Sequence, residues 1–508
     1  MNMPKIHTEA GASGNGIRDA GLTNREVAPV HRYTGAAFLC DQEGGLLIEQ
    51  NKTSEHQPKA GAGTALASPD PEAVVHGICR RHDGRDDGLA RHFRYADGAH
   101  YVPFGTTVYA LIHQEEALIE KTMDSLAHAS FNKLRHCIFP KSYEFNRNEP
   151  EDFPFQKNAD GKWDVHRPDH SFWRRLEANI LRLGGMGIQS DLILFHPYDR
   201  WGFSALTMEE SEVYLRYALR RLAAIPCIWW SMANEYDLCF SKKTGDWYRI
   251  EEIIRSEDPY GHLLSNHYCM KFYDYARDNL THCSMQNILF YKAAQWMEQY
   301  HKPVVYDECC YEGDIPNSWG NISAKEMVHR FWCAYSTGAY ATHGETYLSP
   351  DDVLWWSKGG TLKGESPSRI AFLRQLIEEL PGALECWREP TELLGAPDFI
   401  GTEPGQDTPF FAYLESLTQA ERDAAALKDK VYSGCCGEDA FLKYYGRQQP
   451  ARSCIILPEE HSYTVELIDT WNCTRETILS GASGIAWFNL PGREGMAVLA
   501  KQKKPAVQ

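Results

Sequence analysis

Between Tyr101 and Pro381 the chain repeats one alternation: short, nearly continuous apolar runs take turns with longer stretches whose apolar residues recur every three or four positions. The runs are YVPFGTTVYALI (101–112), KLRHCIFP (133–140), SDLILFHP (190–197), CIWWSMANE (227–235), LLSNHY (263–268), THCSMQ (281–286), PVVYDE (303–308) and AYATHGE (339–345). EEALIEKTMDSLAHA, FWRRLEANILRLGGMG, EVYLRYALRRLAAI and finally SRIAFLRQLIEEL are among the helical stretches. A strand buried on both faces reads as an unbroken apolar run, and parallel strands need long crossovers. Eight strand–helix units therefore predict an α/β fold, a (β/α)8 TIM barrel over residues 92–382. A doubly wound open sheet would normally bring a Gly-rich phosphate loop after its first strand, and none follows here.

The flanks differ in texture. Residues 1–91 are rich in Gly, Ala and Asp, and the pieces AAFLC and GLLIEQ suggest a small N-terminal β-module with a flexible, partly disordered start. After Pro381, FFAYLE, FLKYYG, SCIILP, YTVELIDTW and GIAWFNLPG are separated by turn residues, with a helix expected only near 418–428. Residues 383–508 are accordingly expected to form a C-terminal antiparallel β-sandwich.

Charge and composition narrow the partners. A formal net charge of −17 argues against nucleic acid and anionic membrane, both of which need a basic footprint. The start, MNMPKIHTEAGASGNG, lacks an apolar signal core, and no window approaches eighteen apolar residues. Fifteen scattered cysteines read as reduced thiols of a cytoplasmic protein. Cys309-Cys310 and Cys435-Cys436 lack the CxxC spacing of a metal centre, so neither metal nor cofactor is expected. Aromatics at 12% suit a carbohydrate-handling surface, though large cores use them too. A homo-oligomer is compatible with all of this.

Barrel chemistry gathers at the C-terminal ends of the strands. Those ends carry Arg135, then His196 with Tyr198, Asp199, Arg200 and Trp201 beyond it, Asn234-Glu235, and Asn266-His267-Tyr268. Gln286, Asp307-Glu308, His343 and Glu345 continue the series, and Trp319, Trp355 and Trp356 follow on later loops. Glu235 and Glu308, on strands four and seven, can converge across the mouth. Two facing carboxyl groups are what glycoside hydrolysis needs, about 5 Å apart in a retaining enzyme. Arg135 pointing at Glu308 would keep that group ionised as the nucleophile, and Glu235 among Trp and Tyr would stay protonated as the acid. Asn234 would hold a sugar hydroxyl. Asp307, one residue out of phase with Glu308, reads as structural, and alternation sends one of Trp229 and Trp230 inward and the other against the helices.

WWSMANE followed by KPVVYDE resembles the acid/base and nucleophile strands of the retaining glycoside hydrolases of the large (β/α)8 clan that includes family-five cellulases and β-galactosidases. The resemblance implies Glu235 as acid/base and Glu308 as nucleophile, and it matches Arg135 and His196 to a recurrent Arg and His. The stretches FNKLRHCIFPK, DLILFHPYDRWGFS, DECCYEGD and THGETY look more closely like a bacterial group of glycosidases with a barrel and a C-terminal β-domain. A carbohydrate substrate is thus implied, with Arg135, His196, Asn234, Trp201, His267, Tyr268, Gln286, Trp319, His343 and Glu345 as candidate contacts. The insertion at 141–168 and the strand-eight loop would wall the pocket and favour exo action. Two other readings remain open: a non-catalytic carbohydrate-binding barrel, and a metal-dependent barrel hydrolase. The latter usually needs an HxH on the first strand, where only His113 stands.

Overall fold

The computed structural model describes residues 75–77, 91–95, 98–387, 416–418, 421 and 431–503. All of them belong to one compact unit, Ala37–Gln508. AAFLC, GLLIEQ, FFAYLE and nearly all of the helix expected near 418–428 lie outside the described residues.

Eight parallel strands form the barrel: Phe104–Thr107, Lys133–Cys137, Gln189–Phe195, Ile228–Ala233, Leu263–Ser265, Cys283–Gln286, Val304–Glu308 and Tyr340–His343. They neighbour one another in chain order, with the eighth pairing to the first. A bridge between His267 and Ser284 joins the fifth strand to the sixth and completes the ring. Local chemistry starts the helices where the 3.6-residue periodicity begins. Asp169 caps His170–Gly185, Thr207 and Glu210 form a reciprocal capping box on Met208–Leu222, and Ser323 caps Ala324–Tyr335.

One unit departs from the expected eight. The link from the fifth strand to the sixth, residues 266–282, is built of turns and contains no helix. Tyr273, Tyr275 and Leu280 bury themselves there, and Lys302 Nζ donates to the Arg277 carbonyl at 3.0 Å. A short link lined by buried tyrosines thus covers the sheet where a helix was expected.

Trp229 points into the lower barrel against Phe93, 5.0 Å between ring centroids, whereas Trp230 faces outward and donates to Asp258 at 3.2 Å. Phe93 belongs to a three-stranded meander, Val75–Gly77, Phe93–Tyr95 and His100–Tyr101.

The C-terminal part is an antiparallel sandwich. A six-stranded sheet runs in the order Glu385–Cys386, Tyr432–Cys436, Ala440–Tyr444, Met496–Gln502, Tyr463–Asp469, Thr474–Ala482. Period-two alternation divides its side chains: Ala440, Leu442, Tyr444, Ala497 and Leu499 join the barrel core. Phe441, Val498 and Ala500 face the antiparallel strand pair Arg452–Leu457 and Gly484–Asn489. Tyr432–Cys436, Thr474–Ala482 and Met496–Gln502 are strands that the sequence did not announce, the first two because Gly, Cys and polar residues blur their alternation. No helix among the described residues is long and apolar enough to cross a membrane.

Candidate active site

The mouth of the barrel is built over a buried ionic floor. Lys133 Nζ lies 2.6 Å from Asp307 and 2.7 Å from Asp191, and Arg135 Nη1 lies 3.1 Å from Asp191 and 3.4 Å from Asp307. Ser284 and Thr342 donate their hydroxyls to Asp307 at 2.5 and 2.9 Å. Two cations and two anions, all nearly solvent-free, neutralise one another. Burial alone would raise Asp307, but Lys133 and Arg135 outweigh it and hold its carboxyl well below the usual range.

Arg135 is therefore not the partner of Glu308 that the sequence suggested. Its Nη1 serves the two aspartates, and Nη2 donates to Asn234 Oδ1 at 3.2 Å. Glu308 is instead hydrogen-bonded to the Tyr109 hydroxyl, which also lies 2.9 Å from Asn234 Oδ1. One hydroxyl proton can serve only one of these acceptors. With Glu308 ionised, Tyr109 donates to it; with Glu308 protonated, the carboxyl donates to Tyr109 and Tyr109 donates to Asn234.

Glu235 sits in the left-handed region at φ 54°, a conformation uncommon outside glycine. Its backbone N–H donates to His267 Nδ1 at 3.2 Å, its carboxylate accepts from the Tyr198 hydroxyl, and Tyr236 N–H donates to the His267 carbonyl at 2.9 Å. His267 is thereby fixed as the neutral Nε2–H tautomer; burial and then the Arg135 charge hold it well below its usual range.

Burial, then the charge of Glu235, push the Glu308 carboxyl up to about 7, against the pull of Tyr109, Lys141 and Arg135. The expected division, with Glu308 kept ionised by an arginine, is thus corrected: burial and the Glu235 charge outweigh the pull of Arg135, whose guanidinium is shared with two aspartates.

The remaining candidates separate into two groups. His196 is neutral, its value lowered by burial to about 4, with Nε2 3.1 Å from the Phe139 carbonyl and Lys141 among its charged neighbours. Gln286 is the register partner of Glu308 at a bulge, and Asn287 donates its N–H to the Glu308 carbonyl and its side-chain amide to Tyr268. Trp319 packs 5.0 Å from Trp356 in the aromatic wall that contains Tyr109, Tyr143 and Tyr311.

Trp201, His343 and Glu345 are placed elsewhere. Trp201 donates its indole N–H to Glu149 at 3.0 Å, packs near Phe153, and accepts from Trp163 of the insertion at its own carbonyl. His343 shares its outward direction with Thr106, its register partner, bonding to it at 3.0 Å and stacking on Phe131. Thr342, one residue earlier, is the one that points inward, so strand parity turns His343 toward the helices. Trp355 likewise donates to Thr106, at 2.9 Å, and His113 stacks on Phe172.

Glu345 accepts the N–H groups of Lys363 and Gly364 at 2.5 and 2.8 Å, while Glu312 accepts from Glu365 N–H, Ser366 and Tyr347. Glu312, His343 and Glu345 bring one potential ligand atom each within 4.8 Å of one another, yet the carboxylate oxygens are already occupied by donors. The two carboxylates tie down the strap that leads into Ser366–Glu378. Gly364 is part of that tie: a Cβ there would stand 2.6 Å from oxygens of both glutamates. Gly364→Ala is expected to cost about 1–3 kcal/mol of stability, measured by urea denaturation, because backbone-anchored carboxylates cannot retreat freely.

Tyr109, Lys141, Tyr143 and Tyr311 escaped the sequence reading. Tyr109 was hidden inside a run read as strand 101–112, although the strand ends at Thr107. Lys141, a charge directly after the second apolar run, carried a usable signal.

Comparison with known proteins bears on the fold and the class. The family model of the apiosidase-like catalytic domain matches residues 89–399, and that of a domain of unknown function, DUF5605, matches residues 429–501. A solved structure of a Bacteroides vulgatus protein assigned to the glycoside hydrolases is 31% identical over 82% of this chain and 81% of that one, with a TM-score of 0.68. A family 5 glycoside hydrolase of Bacteroides vulgatus shares the fold at 15% identity, covering 86% of this chain and 95% of that one, with a TM-score of 0.60. No curated protein matches. Fold, site and relatives define the class: the protein is a glycoside hydrolase. Within that class, the chain belongs to the apiosidase-like family.

Proposed function

We propose that this glycoside hydrolase is a retaining β-glycosidase working by double displacement. Glu308 attacks the anomeric carbon while Glu235 gives its proton to the departing oxygen; water then adds to the glycosyl–Glu308 ester as Glu235 takes the proton back. Asn234, held by Arg135, is placed to bind the hydroxyl beside the reacting carbon. The observation that carries the reading is the pairing of the two glutamates with separate tyrosine hydroxyls, Tyr198 for Glu235 and Tyr109 for Glu308, above one neutralised floor. Each carboxyl has its own partner, as two different roles require.

A panel of nitrophenyl glycosides, pyranosides and furanosides alike, with an apioside included because of the family's name, identifies the substrate. Proton NMR of the first product then reads its anomeric configuration. Retention is expected; an inverted first product sinks the double displacement.

The pH profile is a second check. Attack needs ionised Glu308 and departure needs a proton on Glu235, so the active pair holds one proton. That last proton is lost through about 7, the value to which burial and Glu235 push the Glu308 carboxyl, and kcat/KM is expected to fall as pH rises through it. A profile flat from pH 5 to 8 would contradict the role. The insertion at 141–168 supports exo action, and the thirteen described cysteines, none of them in a disulfide, support a cytoplasmic location.

A further inference from the structure

Lys141 has no counterpart in the chemistry assigned so far. Its Nζ lies 3.5 Å from the ring centroid of Tyr109, 4.4 Å from Tyr198, 5.0 Å from Trp356 and 5.9 Å from Tyr143. The side chain is 4% exposed, and its ammonium makes no hydrogen bond or ion pair among the described residues. Four aromatic rings replace part of the lost hydration through their faces, but a ring face satisfies a cation far less directionally than an oxygen does. The three N–H donors of the ammonium thus find no acceptor among the described residues.

The cage is also the site. Tyr109 bonds to Glu308 and Tyr198 bonds to Glu235, so the rings holding the ammonium are those holding the two carboxyls. Burial lowers Lys141, while Cys137, Glu308 and Glu235 favour its charge and Arg135 opposes it. His196 stands on the next loop. The charges then add up simply. The glutamate pair sharing one proton carries one negative charge, Lys141 one positive, and the floor beneath none. A neutral sugar keeps a closed pocket neutral, whereas a sugar carboxylate would add a buried charge with no cation left to balance it.

We propose that Lys141 contacts the substrate directly and sets its class: its ammonium balances the glutamate pair and donates to hydroxyl oxygens of a neutral glycone, excluding uronic acids. This rests on the glycosidase reading above. Lys141→Met keeps the aliphatic stem in the cage and removes charge and donors; Lys141→Gln restores donors without charge.

With the neutral glycoside found in the panel, Lys141→Met is expected to lower kcat/KM by about a hundredfold or more. Its alkaline limb should move upward by about one pH unit, since a cation pulling on Glu308 is gone. Lys141→Gln should recover part of kcat/KM while showing the same displaced limb, and it decides the matter if the Met protein does not fold. The corresponding uronide should be inert with all three proteins. A Met or Gln variant within threefold of wild type, its alkaline limb unmoved, overturns the role of Lys141 and leaves the glycosidase reading intact. Wild-type hydrolysis of the uronide at a comparable rate overturns the class. A folded wild-type protein inert on every glycoside removes both readings.

Discussion

Glu308→Gln is expected to abolish turnover, with kcat falling on the order of ten thousandfold for every substrate, whatever its leaving group. A nucleophile is needed by good and poor leaving groups alike. Glu235→Gln should behave differently. General acid catalysis supplies ~10²–10⁴-fold, and a nitrophenolate needs little of it, so Glu235→Gln should harm alkyl glycosides far more than nitrophenyl ones. Small azide anions should restore turnover of Glu235→Gly on a nitrophenyl glycoside. Equal losses on both substrate types for Glu235→Gln, or normal turnover by Glu308→Gln, would remove the corresponding role.

The same variant has an opposite effect on stability. Glu308 binds its proton more tightly in the native state than the unfolded value of 4.5, with its native value pushed up to about 7. The stability associated with the protonated carboxyl is therefore complete below 4.5 and is lost as pH rises through 7. Above that, the buried charge costs about 3 kcal/mol. Glu308→Gln should raise the thermal midpoint at pH 8 and change it little at pH 4.5. Loss of activity with a gain in stability separates a functional carboxyl from a structural one.

The second large effect lies in the floor. Lys133→Met leaves Asp191 and Asp307 buried with Arg135 as the single cation, and breaking such an arrangement typically costs about 3–5 kcal/mol. Chemical denaturation should show that loss at pH 7. It should shrink as pH falls, because Asp307 is held below its usual range by Lys133 and Arg135, and protonation removes what they stabilise. Activity should fall as well, since Arg135 would turn further toward the aspartates and release Asn234. A Lys133→Met protein as stable as wild type would show that the floor is solvated or rearranged.

Those expectations separate what could be read from the chain from what could not. Asn234, Glu235 and Glu308 were legible because a carboxylate ending an apolar run needs a reason, and two of them three strands apart supply it. Lys133 and Asp191 were equally anomalous within apolar runs, yet their meaning depends on facing one another across the ring. His343 shows the limit of strand-end reasoning. Thr342 and His343 are both polar, and which of them turns inward is settled by register against Gly105 and Thr106. Glu345 looked like a sugar contact by position and proved to be tied to the backbone of the strap at Lys363 and Gly364.

The sequence by itself determined the barrel, since strand-length apolar runs alternating with amphipathic helices have few other ways to bury themselves. It also placed two glutamates at the ends of the fourth and seventh runs. Only the tertiary structure decided who their partners are: Tyr109 and Tyr198, with Lys141 caged between their rings and Arg135 turned toward aspartates. The reason is physical. Periodicity is a property of neighbours along the chain, but a carboxyl takes its proton affinity from groups across the barrel, and ring closure brings those within reach.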